Sequence, residues 1–513
     1  MAPFFSPDGQ WIGFFAGGKL KKVSVNGGAA VSLASAAIPG GASWGSQGTL
    51  AFQQTSAVTG LLQISQEGGT PQPLTRPARG EYIHRWPEFL PGGKAVLFVG
   101  SATFSAWNNA QIAVQPVGGG ERRNLAQGGT QPRYSPTGHL LYAQSGTLMA
   151  APFDVRRLAL IPQGAAVPAL EGVMESVVSG AAQYSVSSTG TLVYLAGGVG
   201  GSQSRMVWVS RNGEEQPLPA APHTYQFPSV SPDGRRVAVG ISDQETQVWV
   251  YDASRDTLTR LTFEGNINGN PAWSPDGRRI AFLSNRAGPL NLFWQASDGS
   301  GGAERLTTND YLNSPTSFSP DGQLLAFQDN PPDTGRDIWV LNLKTRKSEP
   351  FLRTPYEDTA PQFSPDGKWL AYSSDESGRR EIYVQPYPGP GGKWQISTDG
   401  GQEPVWNPRG GELFYRSGSK IMAVDVRAAT VSERPPGGAS ASPAPTGFSA
   451  GKPRMLFEGP YLPTSASFPF YDVSPDGQRF LMLKPVESPT SAPTQINVVL
   501  NWFEELRQKA PTK

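Results

Sequence analysis

The sequence predicts an all-β protein, built as tandem β-propellers of four-stranded antiparallel blades. A Ser-Pro-Asp-Gly turn recurs along the chain, and its best-kept glycines lie 43 or 45 residues apart at Gly234, Gly277, Gly322, Gly367 and Gly410. This period matches the roughly 40 to 50 residues of a propeller blade. The 60 glycines and 48 prolines occur together with 10% aromatic residues. That composition indicates many short strands joined by tight turns.

Each repeat opens with a short strand that runs into the turn, as in Pro271-Ala272-Trp273-Ser274. In the turn, proline presets the first corner, aspartate can bond to the backbone, and glycine takes the position where a side chain would strain the exit. Six full copies begin at Ser6, Ser231, Ser274, Ser319, Ser364 and Ser474. Degenerate copies begin at Leu90, Ser135, Ser187 and Asn407, and a weaker one follows Trp44. The sequence therefore predicts about eleven blades.

The three further strands of a blade follow the turn in order. A continuous apolar run such as Arg279-Ile280-Ala281-Phe282-Leu283 predicts a second strand that is covered on both faces. Val248-Trp249-Val250-Tyr251 is typical of the third strand, and the more polar Thr259-Arg260-Leu261-Thr262 of the outermost one. Four strands per period, without helical periodicity between them, indicate a propeller.

Eleven blades exceed the about four to eight of one ring, so we expect two rings. Residues 1–200 would form an N-terminal propeller and residues 201–513 a C-terminal one, with five and six blades as the simplest split. The Pro-, Ser-, Gly- and Ala-rich stretch 428–451 predicts a disordered loop within a blade. The last repeat lacks a fourth strand. We therefore expect either a ring closed by a strand from elsewhere in the chain, or a propeller that is part of a longer gene product.

Composition excludes several classes of function. The 43 Lys and Arg residues nearly balance the 42 Asp and Glu residues, so no overall charge favours nucleic acid or an anionic membrane. Cysteine is absent, and the three histidines lack metal-ligand spacing, so no metal site and no cofactor is expected. No apolar run approaches the roughly 20 residues of a membrane span, and the first residues do not form a signal peptide. The compartment stays open.

Three parts of the sequence resemble two known families. Pro271 to Phe282 is similar to the WD-type repeats of TolB-like propellers. The opening Phe5 to Val23 and the closing Val498 to Leu506 resemble the C-terminal propeller region of bacterial serine/threonine protein kinases. The resemblance covers nearly the whole chain. It implies a sensor or interaction segment attached to, or descended from, a signalling kinase, and TolB implies protein partners. An extracytoplasmic location is implied only if the segment belongs to a membrane-anchored kinase.

The kinase motifs themselves are absent from the sequence. There is no Gly-rich loop ahead of a Val-Ala-Ile-Lys strand, no His-Arg-Asp loop and no Asp-Phe-Gly, which excludes phosphoryl transfer by these residues. Gly447-Phe448-Ser449-Ala450-Gly451 matches the spacing of a hydrolase nucleophile, but no histidine follows His223, so we interpret it as a chance match. The repeated aspartates occur once per blade, which favours turn stabilisation over calcium binding.

The candidate binding residues precede the innermost strands, where loops border a propeller channel. They are Tyr82, His84, Arg85, Tyr225, Asn268, Asn270, Tyr311, Asn313, Glu357, Asp358 and Glu403. Polar and aromatic side chains that converge on a funnel can bind a protein or peptide, a glycan or a small ligand. The alternative is that they only solvate the rim. We therefore predict a non-catalytic binding or sensor module, with a hydrolase or lyase that uses Glu357 and Asp358 as the second hypothesis.

Overall fold

The computed structural model consists almost entirely of antiparallel sheets, which confirms the predicted fold class. It divides into two compact units, the first with Met1–Gly201 and Glu487–Lys513 and the second with Ser202–Val486. The prediction that residues 201–513 all belong to the second propeller was therefore wrong for the C-terminal segment. The residues described are 3–36, 40–54, 60–78, 81, 83–101, 107–162, 164–176, 179–197, 199–200, 203–243, 245–331, 335–429, 447–464, 468–486 and 495–511.

The described part of the first unit contains five blades, numbered 1 to 5 in chain order. Listed from the axis outwards, the strands of blades 1 and 2 are Phe4–Phe5, Trp11–Ala16, Lys19–Ser24 and Val31–Ser35, then Ala42–Trp44, Thr49–Phe52, Leu62–Ser65 and Gln72–Pro73. Those of blade 3 are Ile83–Phe89, Ala95–Ser101, Gln111–Pro116 and Arg123–Gln127. Those of blade 4 are Thr130–Ser135, His139–Gln144 and Thr147–Asp154, which pairs with Ala159–Leu160 and with Val167–Leu170.

Blade 5 is completed by the C-terminal segment of the chain. Its strands Tyr184–Val186 and Leu192–Tyr194 pair with Asn497–Val499, close to a two-stranded parallel sheet of Glu175–Ser176 and Val199–Gly200. The helix Trp502–Lys509 follows at once. Its Trp502 and Leu506 are fully buried in an apolar cluster with residues of blades 4 and 5. The end of the chain is therefore part of the core of the first unit.

The described part of the second unit contains six blades, numbered 6 to 11. From the axis outwards, blades 7 and 8 have the strands Tyr225–Val230, Arg236–Ser242, Thr246–Asp252 and Thr257–Arg260, then Asn268–Trp273, Arg279–Ser284, Asn291–Ala296 and Glu304–Arg305. Blades 9 and 10 have Asn313–Phe318, Leu324–Asp329, Asp337–Asn342 and Lys347–Leu352, then Thr359–Phe363, Trp369–Ser374, Glu381–Pro386 and Trp394–Gln395. Blade 11 has Gln402–Trp406, Glu412–Ser417 and Lys420–Ala429, which pairs with Arg454–Glu458 and Gly447–Ala450.

Blade 6 closes the second ring with strands from both ends of that unit. Its order from the axis is Tyr471–Val473, Arg479–Pro485, Ser204–Ser210 and Glu215–Pro217. The two halves meet along a ladder that runs from Ser204 opposite Pro485 to Ser210 opposite Arg479. The carboxylate of Asp472 then accepts a 2.7 Å hydrogen bond from the backbone N–H of Val230 in blade 7. This blade confirms the expectation that a ring closes with a borrowed strand.

The stretch 428–451 is only partly a loop. Residues 430–446 lie outside the described residues, but the segments on either side of them form strands. Gly447–Ala450 pairs with Val426 to Ala429, and Phe448 packs against Trp369 and Trp394. The predicted disorder was therefore wrong at both ends of this stretch, where burial of Phe448 holds the strand in place. Among the described residues, no helix has the length and apolar character needed to cross a membrane.

The repeated turn owes its shape to local hydrogen bonds. In Ser274-Pro275-Asp276-Gly277, the Ser274 hydroxyl donates to Asp276 at 2.6 Å and accepts from the backbone N–H of Arg279 at 2.9 Å. The Asp276 carboxylate accepts the N–H of Arg278, and Gly277 has φ +67°. The same contacts recur at Ser6, Ser231, Ser319, Ser364 and Ser474. These aspartates have the turn-stabilising contacts that the sequence predicts.

Candidate functional site

Each propeller has a channel at its axis, and a repeated backbone bulge shapes its wall. The innermost strands of blades 3, 4, 7, 8, 10 and 11 each contain a residue with left-handed φ directly before a proline. These residues are Trp86, Gln131, Phe227, Asn270, Ala360 and Glu403, with φ between 48° and 59°. Pairing with the second strand shifts register next to each of them. The bulge places Trp86, Gln131, Phe227 and Asn270 on the channel walls.

The channel of the second unit is narrow. Its cavity has a volume of about 220 Å³ and is lined largely by prolines and aromatic rings. The ring of Phe227 stacks on Phe470 at 4.8 Å between centroids and meets the edge of Phe468 at 5.3 Å. Phe227 and Phe468 are both part of the cavity wall.

Three asparagines proposed for the channel rim lie in the interior of the second unit. Asn268 donates to Gln247 and to the carbonyl of Glu264, at 2.9 and 3.0 Å. Asn313 donates to Asp329 at 2.8 Å. Asn270 donates to Ser314 at 2.7 Å and is the one of the three on the channel wall. Asn268 and Asn313 therefore fix the loops next to the channel but do not line the cavity themselves.

Glu357 and Asp358 have different surroundings. Glu357 Oε2 lies 3.7 Å from Arg336 Nη1 and 3.9 Å from Arg380 Nη2, so it bridges two cations at the start of blade 10. The Asp358 carboxylate is buried and accepts a 2.6 Å hydrogen bond from Thr354. Burial raises the pKa of Asp358 to about 6. The two carboxylates therefore have separate partners.

Glu403 and Tyr225 are also buried. Glu403 lies 3.7 Å from Arg416, and its carboxylate accepts the backbone N–H of Phe470. The Tyr225 hydroxyl donates to the carbonyl of Ala221 at 2.6 Å, and burial raises the pKa of Tyr225 well above its usual range. Both side chains connect neighbouring segments of the second unit, which is a structural role.

In the first unit, His84 belongs to a buried polar network. Its Nδ1 lies 2.7 Å from the Thr75 hydroxyl, and its Nε2 lies 3.1 Å from Glu81, which also binds Arg122. Burial lowers the pKa of His84, although Glu81 opposes the shift. Arg85 is buried as well, and its guanidinium lies 5.7 Å from the Trp107 ring. Tyr82 lies outside the described residues.

Tyr311 differs from the other candidates because its side chain is 40% exposed. It lies in the connection between blades 8 and 9. The neighbouring connections carry Phe263, which is 71% exposed, and Tyr356, which is 42% exposed. In a four-stranded antiparallel blade, every connection from an outermost strand to the next innermost strand lies at the same end. The three aromatic side chains therefore share one face, called here the loop face of the second unit.

Sequence reasoning missed Phe263 and Tyr356, although both lie, like Tyr311, in a connection that follows an outermost strand. The signal available was a large aromatic residue in a loop otherwise rich in polar residues. Ser449, in turn, lies on the exposed face of the strand Gly447–Ala450, and the next element in the described part of the chain is the strand Arg454–Glu458 instead of a helix. This location lacks the elbow that a nucleophilic serine requires.

The blades described above define a repeat protein of two β-propellers. Residues 202–331 and 310–444 match the family model described as TolB beta propeller domain. The second unit is thus a TolB-like β-propeller.

This chain is also similar to several individual proteins. A 71-residue segment is 39% identical to protein Atu1656 of Agrobacterium fabrum and covers 14% of this chain, so the chain spans only 24% of the length of that curated relative. A solved structure of a putative TolB from Agrobacterium tumefaciens is 17% identical, with a TM-score of 0.44, over 56% of this chain and 99% of that one. TolB from Acinetobacter baumannii is 16% identical, with a TM-score of 0.29, over 75% of each chain.

Proposed function

We propose that this protein is a non-catalytic binding module that captures a protein or peptide on the loop face of its second propeller. The observation that carries the proposal is the exposure of Phe263, Tyr311 and Tyr356 in three consecutive blade connections. Large aromatic side chains are enriched in the cores of protein interfaces. A single exposed ring needs no explanation, but an aromatic residue repeated at one end of adjacent blades forms a shared contact surface.

The loops that carry these rings have rigid bases, which supports the proposal. Asn313 follows Tyr311 by two residues and is fixed by Asp329, while Asp358 follows Tyr356 by two and is fixed by Thr354. Such contacts hold the loops before a partner arrives. Binding to a preformed surface costs less conformational entropy than binding that has to order a loop.

We also propose a relation to the sensor region of bacterial serine/threonine kinases. The support is the similarity of the opening and closing segments, at Phe5 to Val23 and Val498 to Leu506, to those proteins. A kinase domain in the reading frame upstream of Met1 would support this part of the proposal. A different catalytic domain at that place would contradict it.

The enzyme alternative depends on Glu357 and Asp358, and their contacts do not favour it. The raised pKa of Asp358 is a property that a general acid needs. However, Asp358 is 2% exposed and its carboxylate is bonded to Thr354, which does not favour contact with a substrate. Glu357 is held between Arg336 and Arg380.

Photo-crosslinking in the native host tests the binding surface. A photoreactive phenylalanine analogue replaces Tyr311 or Tyr356, and Phe5 serves as a matched control because it is an exposed aromatic residue, at 65%, in the first unit. We expect one discrete adduct from both loop positions and none from Phe5. Absence of an adduct at Tyr311 and Tyr356, or the same adduct from Phe5, would refute the proposal.

A further inference from the structure

The channel of the first propeller contains a cavity that the proposed function does not use. Its volume is about 410 Å³, nearly twice that of the second channel, and all five blades contribute to its wall. Small-molecule sites usually have about 300 to 1,000 Å³. Phe4 and Trp86 supply aromatic walls, with Pro3 and Pro87 beside them. The cavity therefore has the size and the apolar surface for a small ring-bearing molecule.

Arg133 is the one charged residue among the described residues that line this cavity. Its Nη1 donates to the Glu88 carboxylate, whose other oxygen accepts the backbone N–H of Tyr134 at 2.7 Å. Glu88 itself does not line the cavity and instead faces a second pocket, with Trp44 and Tyr134. The two charges of the ion pair therefore line different pockets, and the positively charged Arg133 is the one that lines the channel cavity.

The Arg133 side chain lines the cavity. A third of the side chain, 34%, is exposed although blades surround it on all sides. Burial lowers the pKa of Arg133, but the charge and hydrogen bond of the Glu88 carboxylate outweigh this effect, so the pKa is raised and the guanidinium stays charged. Nη1 of Arg133 binds Glu88, so the N–H groups of Nη2 and Nε are the donors left to contact a ligand. Arginine binds carboxylates through two parallel N–H groups, which gives both affinity and orientation.

The remaining polar groups support the same ligand chemistry. The Gln131 side-chain oxygen accepts the N–H of Ala182 at 3.0 Å, so the amide nitrogen is the end left for a ligand. The Gln131 backbone carbonyl accepts the Tyr184 hydroxyl, which fixes the wall at this position. The Arg133 guanidinium and the Gln131 amide nitrogen are thus two side-chain donors in a lining that also includes Phe4 and Trp86.

We propose that the channel of the first propeller binds a carboxylate attached to an apolar ring, with the carboxylate on Arg133 and Gln131 and the ring against Phe4 and Trp86. Two sources share this chemistry, a free small organic acid and the C-terminal carboxylate of a peptide that ends in an aromatic residue. This site is independent of the loop face of the second unit.

Ligand-observed NMR and calorimetry on the full chain test the proposal with benzoate and its neutral isostere benzamide. We expect benzoate to bind at least tenfold more tightly, as charge-assisted hydrogen bonds are about twice as strong as neutral ones. The second arm compares the dipeptide Gly-Phe with its C-terminal amide. Binding of benzoate identifies a free acid as the source, and binding of Gly-Phe alone identifies a peptide terminus. Failure of both to bind at roughly 10 mM would overturn the proposal.

Variants separate the site from general effects. Arg133→Gln should reduce benzoate binding to the level of benzamide, while Arg133→Lys should retain part of it. Arg211→Gln removes a comparable Arg–Glu pair in the second unit and should leave benzoate binding unchanged. Because loss of Arg133 leaves Glu88 without its cation, Ser185→Phe is a second variant that fills the cavity from its wall and keeps the pair. Unchanged benzoate binding in Arg133→Gln or in folded Ser185→Phe would refute the site.

Discussion

Replacing Trp502 by alanine should lower the stability of the first propeller and leave the stability of the second unchanged. The Trp502 side chain is 1% exposed and lies in the apolar cluster that joins blades 4 and 5, with Leu141, Leu192 and Leu506. Replacing a buried tryptophan by alanine leaves a cavity and costs about 3 to 5 kcal/mol. For a domain of this size, each kcal/mol lowers the melting temperature by about 2 to 4 °C, so we expect a fall of roughly 6 to 20 °C.

Hydrogen exchange followed by mass spectrometry checks this expectation peptide by peptide. In Trp502→Ala, exchange should rise in the strands His139–Gln144, Thr147–Asp154 and Leu192–Tyr194, because the helix no longer covers them. Gln508→Ala is the matched control, since Gln508 is exposed on the same helix, and it should shift stability by less than about 0.5 kcal/mol. Faster exchange in the strands of blades 7 to 10, or no change in blades 4 and 5, would refute the assignment of this segment to the first core.

Three further predictions concern the second unit. Burial raises the pKa of Asp472 to about 6 from its usual 3.8, so the folded state holds this proton more tightly than the unfolded state. The resulting contribution to the free energy of unfolding is complete below about pH 3.8 and is lost as the pH rises through about 6. Asp472→Asn keeps an acceptor for Val230, so urea unfolding at about pH 5 and pH 7 should depend less on pH than in the wild type, and an equal dependence would contradict this. Gly277→Ala should cost about 1 to 2 kcal/mol in urea unfolding, because φ is +67° and the nearest atom to a new Cβ is 3.8 Å away, and a neutral effect would show that the backbone relaxes. Ser274→Ala should cost about 1 kcal/mol by the same assay, since Asp276 and the Arg279 N–H both lose a partner, whereas an unchanged midpoint would mean that water replaces the hydroxyl.

The blades could be predicted because each depends on local chemistry that the sequence repeats. Pro275 presets a corner, Gly277 supplies the left-handed residue, and Ser274 closes the turn within five residues. The course of the C-terminal segment could not be predicted in this way. The strand Asn497–Val499 pairs with Leu192–Tyr194, about 300 residues earlier, and such a pairing leaves no local pattern in the sequence.

The channel walls could be located from the sequence, but not the side chains that form them. A residue before proline is normally driven towards extended conformations, so nothing in the sequence indicated left-handed φ at Phe227 or Asn270. The bulge turns these side chains onto the wall. Asn268 precedes the bulge of blade 8 and bonds to Gln247, and Asn313, at the start of blade 9, bonds to Asp329.

The path of the chain explains why the two rings close differently. In the second unit, Ser204 lies opposite Pro485 in one ladder, so the two ends of this unit are adjacent within blade 6. A domain whose ends are adjacent can be inserted into another domain without separating the strands on either side of it. That is the arrangement in blade 5, where the strand Leu192–Tyr194 precedes the second unit and its partner Asn497–Val499 follows it. The first ring can therefore complete its fifth blade only after the second propeller has been synthesised. The amphipathic helix Trp502–Lys509 stabilises the completed blade because it buries Trp502 and Leu506 against blades 4 and 5.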